Sequence, residues 1–530
     1  MGRGTWQSYQ RVQQAFANLR GGKALPQQRL AFDHYVGYGE RIRHLGATRP
    51  DEMALTFVTH PDAATTRLTW SELDARSDTF ASGLAARGVG PDSVVVVKLR
   101  NSVEHLLSTL AVWKLGACVV PLRSDMPARE RDPILALARP ALVISLDPVP
   151  GHQCVTPAQI ETMQDPGWRL ADAQPGKAVC SGGSTGVPKL IVDPLPWGNP
   201  GAVVGTAEGH ALEPLAQALG FRHDQTQLVS GPLYHNAPFG WGYWGLFFGH
   251  HLVVLERFTA EVAVDCVERY GVNFMFAVPT MMMRMMRLDG VTDRDWSSVE
   301  SLFHGAASCP RWLKKQWIDL LGPTRVNELY GATEAIGASA IRGDEWLRRE
   351  GSVGRPLGCD LRILDDDQRE VPTGEVGMIY MRPHHRGPTY EYRGSEPAPS
   401  TADGFITVGD FGYVDDDGYL YIADRRVDLI ISGGANIFPA EVEGAVLEHP
   451  EVSDAAVIGL PHPEWGQTVH AVVQLVDGSS LTVEALSDFM RGQLAAYKLP
   501  KTYELVARIP RDEAGKLRRS SLVAERTPSP

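Results

Sequence analysis

The chain has 530 residues, with 51 Lys and Arg against 63 Asp and Glu, for a formal net charge of −12. With 43% hydrophobic and 22% charged residues, its composition is that of a globular protein and excludes whole-chain disorder, collagen and coiled coil. The acidic balance argues against a nucleic-acid binder, which carries a basic patch or stripe. The scattered Cys118, Cys154, Cys180, Cys266, Cys309 and Cys359 suggest neither a disulfide framework nor a metal site.

In chain order, the amino terminus Met1-Gly-Arg-Gly-Thr-Trp6 lacks the apolar core of a signal peptide, so a reducing, cytoplasmic home is expected. Val94 to Val97 is a β-branched run suited to a strand covered on both faces. Asn101, with Glu104 three residues on, predicts the N-cap of a helix through Leu106, Leu107, Leu110 and Val112 that ends at Gly116. Strands are predicted at 118–121 and 141–146, then at 251–255, 273–278 and 301–303, with helices at 260–270 and from Thr280. Strands alternating with helices imply parallel βαβ units. The stretch 225–255 carries no charged residue, yet Pro232, Asn236, Pro238, His250 and His251 interrupt it. It reads as a buried, aromatic-lined segment, and no membrane span is expected.

Between 365 and 421 the texture changes to short strands and acidic turns such as Asp415-Asp-Asp-Gly418, the punctuation of antiparallel pairing. Beyond Arg425 a compact unit is predicted: strand 429–432, helix 440–448 stopped by Pro450, strands 455–459 and 469–476, helix 483–494 and strand 503–509. These elements predict an α/β chain divided into domains 1–425 and 426–530.

The strongest local feature is Ser181-Gly182-Gly183-Ser184-Thr185-Gly186-Val-Pro-Lys189. Such a turn can aim several backbone N–H groups at one anion, and Lys189 adds a point charge. It is not a Walker A loop, because no Gly-Lys-Ser/Thr follows at the required interval. By itself it equally describes a glycine-rich surface turn. Gly182 to Gly186 also fits the Gly-x-Ser-x-Gly elbow of hydrolases, but an elbow runs into a helix, whereas 188–192 reads as a second strand. Gly240-Trp-Gly-Tyr-Trp-Gly245 fits a dinucleotide fingerprint, but no strand precedes it and its bulky residues would crowd a pyrophosphate.

A second cluster, Asn327-Glu-Leu-Tyr330-Gly331-Ala-Thr333-Glu334, could supply a stacking face, a phosphate hydrogen bond and a Mg²⁺ ligand. Asp410 follows Gly409 and is suited to bridging two ribose hydroxyls, and Gly515-Lys516 stands in a polar turn near the C-terminus. Each alone has an ordinary reading as a loop or a solvated lysine.

Together and in this order, these segments resemble the adenylate-forming superfamily of acyl-CoA ligases, luciferases and adenylation domains. Further signatures lie at Gly351-Ser-Val-Gly-Arg-Pro356, Pro372-Thr-Gly-Glu375, Ser432-Gly-Gly-Ala-Asn-Ile-Phe-Pro-Ala-Glu-Val-Glu443 and Tyr497-Lys-Leu-Pro500. The resemblance implies a large N-terminal domain of two βαβ-type sheets with a small β-barrel, and a mobile C-terminal lid. It implies that a carboxylate attacks the α-phosphorus of ATP, and that a nucleophile then displaces AMP from the acyl-adenylate. Residues 181–189 would hold the β- and γ-phosphates, Tyr330 would stack on adenine beside Gly331, and Thr333 would contact the α-phosphate. Glu334 would ligate Mg²⁺, Asp410 with Arg425 would hold the ribose, and Lys516 would reach the α-phosphoryl and carboxylate oxygens.

His235 resembles the position beside the acyl carboxylate that gates the nucleophile's path; by itself it is also an ordinary core or rim histidine. The acyl pocket would be lined by Phe239, Trp241, Val278, Met282, His304, Gly305, Ala306 and Gly331. No acidic residue near His235 would pair with an α-amino group, which disfavours amino acids. Leu190 stands where the family has Gly, and Val427 where it has a polar hinge. Coenzyme A is the expected acceptor; the alternative is an amine or another small nucleophile. A serine hydrolase using Ser184 and a non-catalytic adenylate binder complete the alternatives. The resemblance leaves room for a homodimer.

Overall fold

The computed structural model describes residues 37–171, 176–182, 188–193, 219–384, 390–425, 428–513 and 515–527. Among them, a nine-stranded sheet runs in the order 355–357, 338–342, 326–331, 301–305, 274–277, 226–229, 251–255, 53–58 and 65–69. The inner strands from Val326–Gly331 to Met53–Val58 pair in parallel, and antiparallel strands close both ends. A second sheet, Cys118–Pro121, Val94–Lys98, Leu142–Ser145 and Cys154–Val155, is parallel throughout. Parallel strands are covered on both faces, which is why Val95, Val96 and Val97 are each fully buried.

The helix after Val94–Lys98 spans Val103–Lys114, and its cap is Ser102, whose side chain accepts from His105 N, not Asn101. Asn101 is committed elsewhere. Its amide donates to Gly231 O and Leu255 O and accepts from Leu233 N, tying three segments together in the interior. The uncharged stretch forms a strand, the helix Asn236–Phe247 and another strand. The dinucleotide-like glycines are therefore helical. No helix among the described residues is long and apolar enough to cross a membrane.

In place of the expected small barrel, the described residues show an open four-stranded antiparallel sheet, Cys359–Leu364, Gly377–Pro383, Asp410–Val414 and Leu420–Arg425. The long hairpin Val452–His462/Gly466–Leu475, with Thr502–Val506 parallel to its second strand, builds a separate core with Val442, Val446 and Leu486. This unit docks on the larger body through backbone acceptors. Arg287 donates to Val452 O and Ser453 O, and Trp312 Nε1 donates to Leu447 O at 3.0 Å.

Candidate active site

The segments 178–182 and 188–192 form an antiparallel hairpin with Ser181 opposite Lys189. A strand running out of the turn rules out the hydrolase elbow, which needs a helix there. The turn residues Gly183, Ser184, Thr185 and Gly186 lie outside the described residues, as does Val427. Only the backbone of Ser181, Gly182 and Arg425 is described. Leu190 is fully buried in the second strand.

A third strand, Glu391–Arg393, lines up beside this hairpin with Tyr392 opposite Ile191. Lys189 Nζ lies 3.7 Å from the centre of the Tyr392 ring and 3.5 Å from Glu334 Oε1. The Tyr392 hydroxyl donates to the same Glu334 oxygen at 2.5 Å. Glu334, 7% exposed, is thus held by a cation and a phenol from neighbouring strands. Burial and the Glu334 carboxylate raise the Tyr392 hydroxyl pKa, so it stays a donor. Sequence reasoning missed Tyr392. It belongs to no local motif, and only strand pairing brings it beside Lys189.

Tyr330 lies on the strand Val326–Gly331, with Thr333 and Glu334 in the turn that follows. Its hydroxyl donates to Asp410 Oδ2 at 2.7 Å, joining motifs 80 positions apart. Asp410 sits opposite Arg425 in the antiparallel register and is buried. Beside Tyr330 and Gly331, a shallow recess is walled by Ile336, Ile379, Met381 and Val408.

From the C-terminal unit, the turn that carries Lys516 reaches the larger body beside Thr280, Val278 and His235. Asp512 shapes it: Asp512 N donates to Lys516 O, Lys516 N to Asp512 Oδ1, and Gly515 N to Asp512 O, each at 2.9 Å. Arg511 braces its base with a two-pronged pair to Asp454 at 2.7 and 2.9 Å. The turn docks closely enough that a Cβ at Gly515 would overlap Thr280 Oγ1 and lie 3.4 Å from Val278 Cγ2. His235 Nε2 is 3.4 Å from Asp512 Oδ2, and Tyr234 hydroxyl is 3.4 Å from Glu513 Oε2. Burial lowers the His235 pKa, the Lys516 charge lowers it further, and Asp512 and Glu513 pull it back up. The structure thus brings Lys516 and His235, 281 positions apart in sequence, into one electrostatic environment.

His235 immediately precedes the helix Asn236–Phe247, whose first residue is pinned by Lys177. Lys177 Nζ donates to Asn236 Oδ1 at 2.5 Å, and burial pulls the lysine pKa down to about 8 against the opposing effect of Asp193. Of the expected pocket residues, Phe239 and Trp241 do not share a wall. Residues two apart on a helix point away from each other. Accordingly, Phe239 packs on Trp113 and Tyr243, while Trp241 packs on Phe303 and Phe221. Val278 abuts the Lys516 turn, and buried Met282 accepts from Trp317 Nε1 at 3.3 Å. Gly305 leaves no room for a Cβ against Leu329 O, and Ala306 is exposed with φ +67°. His304 is fully buried beside the Lys314–Glu328 ion pair at 2.5 Å, and burial lowers its pKa to about 4, leaving it neutral.

The AMP-binding enzyme profile matches residues 42–390, and that of the AMP-binding enzyme C-terminal domain matches 441–516. The chain is similar to 2-succinylbenzoate–CoA ligase of Bacillus licheniformis, with 31% identity over 481 residues, covering 89% of this chain and 97% of that protein. It is 32% identical over 470 residues to feruloyl-CoA synthase of Amycolatopsis sp., covering 85% of this chain and 92% of that one. Among solved structures, o-succinylbenzoate CoA synthetase from Bacillus subtilis in complex with its acyl-adenylate intermediate superposes with a TM-score of 0.76. It shares 26% identity, with coverage of 91% of this chain and 97% of that one. With the ordered motifs, the two-body fold and profile matches over most of its length, the chain belongs to the AMP-binding enzyme family of adenylate-forming ligases.

Proposed function

We propose that this enzyme activates a carboxylic acid with ATP, releasing pyrophosphate, and passes the acyl group from the adenylate to coenzyme A. The observation that carries the reading is that side chains from motifs far apart in sequence meet in three separate groups. These are Lys189 with Glu334 and Tyr392, Tyr330 with Asp410, and the Lys516 turn against His235. The names of the similar CoA ligases support coenzyme A as the acceptor.

Adenylation must bring a carboxylate to a polyanion, so positive charge has to meet the charge that builds at the α-phosphorus. Lys189 and the N–H groups of 181–186 would take the outer phosphates, and Thr333 and Lys516 the α-phosphoryl oxygens. Asp410 and Arg425 would hold the ribose, with Tyr330 on the base. Mg²⁺ commonly takes one or two carboxylates and completes its shell with phosphate oxygens and water. A lone buried Glu334 fits that demand, and the ion would neutralise phosphate charge there. His235, Val278, Met282, His304, Gly305 and Ala306 would border the acid, with residues 426–530 acting as the lid that carries Lys516. A neutral, buried His304 favours an uncharged acyl tail.

The test is pyrophosphate release across aryl, alicyclic and fatty acids, each without acceptor, with CoA, and with simple amines. A single-turnover burst that becomes sustained only with CoA is the expected result. Turnover with amines alone would reassign the acceptor, and no acid-dependent pyrophosphate would overturn the reading.

A further inference from the structure

The turn that carries Lys516 also carries two consecutive carboxylates, and both meet consecutive residues of the larger body. Asp512 Oδ2 meets His235 Nε2, and Glu513 meets the Tyr234 hydroxyl, each at 3.4 Å. The two oxygens of Asp512 face different tasks. Oδ1 accepts from Lys516 N at 2.9 Å and so shapes the turn that presents the lysine. Oδ2 points across to the imidazole. The His235 contact is longer than an ordinary hydrogen bond, as catalytic contacts commonly are before substrate tightens them. Nε2 is buried and has no hydrogen bond of ordinary geometry among the described residues, and the Asp512 carboxylate is the charged group it meets. A buried ring nitrogen left without a partner costs free energy, so the carboxylate is the group that offsets it.

We infer that Asp512 is a positioning residue that ties the arrival of Lys516 to the orientation of His235. When the turn is docked, one carboxylate holds both; when the turn leaves, His235 loses its partner. The acidic pair thus makes the docked arrangement self-checking, since the lysine cannot be presented in this geometry without the imidazole being held. This inference rests on the proposed adenylation reaction.

The charged and titratable groups facing His235 are Asp512, Glu513 and Lys516 from the turn, with the Tyr234 ring 4.5 Å away on its own segment. Asp512→Asn keeps an oxygen to accept from Lys516 N while removing the charge that His235 meets. Acid-dependent pyrophosphate release should fall about tenfold in D512N, with consumption of supplied acyl-adenylate by CoA within twofold of wild type. In the H235A background, D512N should add almost nothing, because residues acting through one contact are not additive. Equal loss in both half-reactions, or effects that multiply independently, would overturn the inference.

A second readout does not depend on turnover. In protein carrying ¹³C-labelled histidine, the His235 resonance should titrate at lower pH in D512N than in wild type, at unchanged melting temperature. An unmoved titration would refute the contact. If wild type releases no acid-dependent pyrophosphate, the proposed reaction fails, and this titration alone decides whether Asp512 holds His235.

Discussion

Gly515→Ala perturbs the docking of the Lys516 turn at a single atom. Gly515 has φ +76°, where an L side chain costs about 1–2 kcal/mol. The added Cβ would also sit inside the 3.0 Å that real Cβ atoms keep, against Thr280 Oγ1. Relieving that overlap means turning Thr280 away from its rotamer, at about 1 kcal/mol. Together the two effects disfavour the docked turn by about 2–3 kcal/mol, a loss of roughly 30- to 150-fold in its population. Only the first persists when the turn swings free, and a free turn relaxes it. Pyrophosphate release should therefore drop by about 100-fold while the melting temperature moves little. Thr280→Ala removes the obstructing oxygen and leaves its Cβ 3.4 Å away, an ordinary contact. G515A/T280A should regain about fivefold over G515A, with T280A alone near wild type. Activity of G515A within twofold of wild type, or no rescue by T280A, would refute the docked geometry as the working one.

Lys516→Ala should abolish adenylate formation yet leave transfer from supplied acyl-adenylate largely intact, measured as the two half-reactions separately; equal loss in both would remove its assigned role. Tyr392→Phe deletes the hydroxyl donor to Glu334, a hydrogen bond to a charged group that contributes about 1.5–3 kcal/mol. Steady-state assays should show a roughly tenfold loss or more in kcat/KM for ATP, with folding retained. Lys177→Met tests a burial cost. Because folding lowers the Lys177 pKa from 10.5 to about 8, the unfolded chain binds more protons between those values, and stability rises with pH across that window. Wild type should gain about 2 kcal/mol relative to K177M between pH 7.5 and 9.5 in urea melts, and a flat difference would show that the ammonium is not buried.

The candidate site residues were legible as candidates because they lie in short contiguous motifs. Tyr330, Glu334, Asp410 and Lys516 each stand in a motif that alone reads as an ordinary loop or turn, and only the order of the motifs along the chain marks them as candidates. The alternation of apolar runs also predicted the parallel strands near their observed bounds. The helix cap moved from Asn101 to Ser102 because Asn101 is taken by partners more than 100 positions away, which no local pattern records. Phe239 and Trp241 look equivalent as aromatic residues in sequence, yet helical geometry sends them to opposite sides.

The sequence by itself determined the α/β character and the order of the motifs, which rest on periodicity and spacing along one chain, and its similarity to other chains shows the family. The tertiary structure alone decided which groups meet. Strand pairing set Tyr392 beside Lys189 and Glu334, and the Tyr330–Asp410 hydrogen bond joined two motifs. Docking of the C-terminal unit brought Asp512 to His235. The physical reason is range: turn and strand preferences act over a few residues, whereas hydrogen bonds and ion pairs select partners by distance in space, and distance in space exists only once the chain has folded.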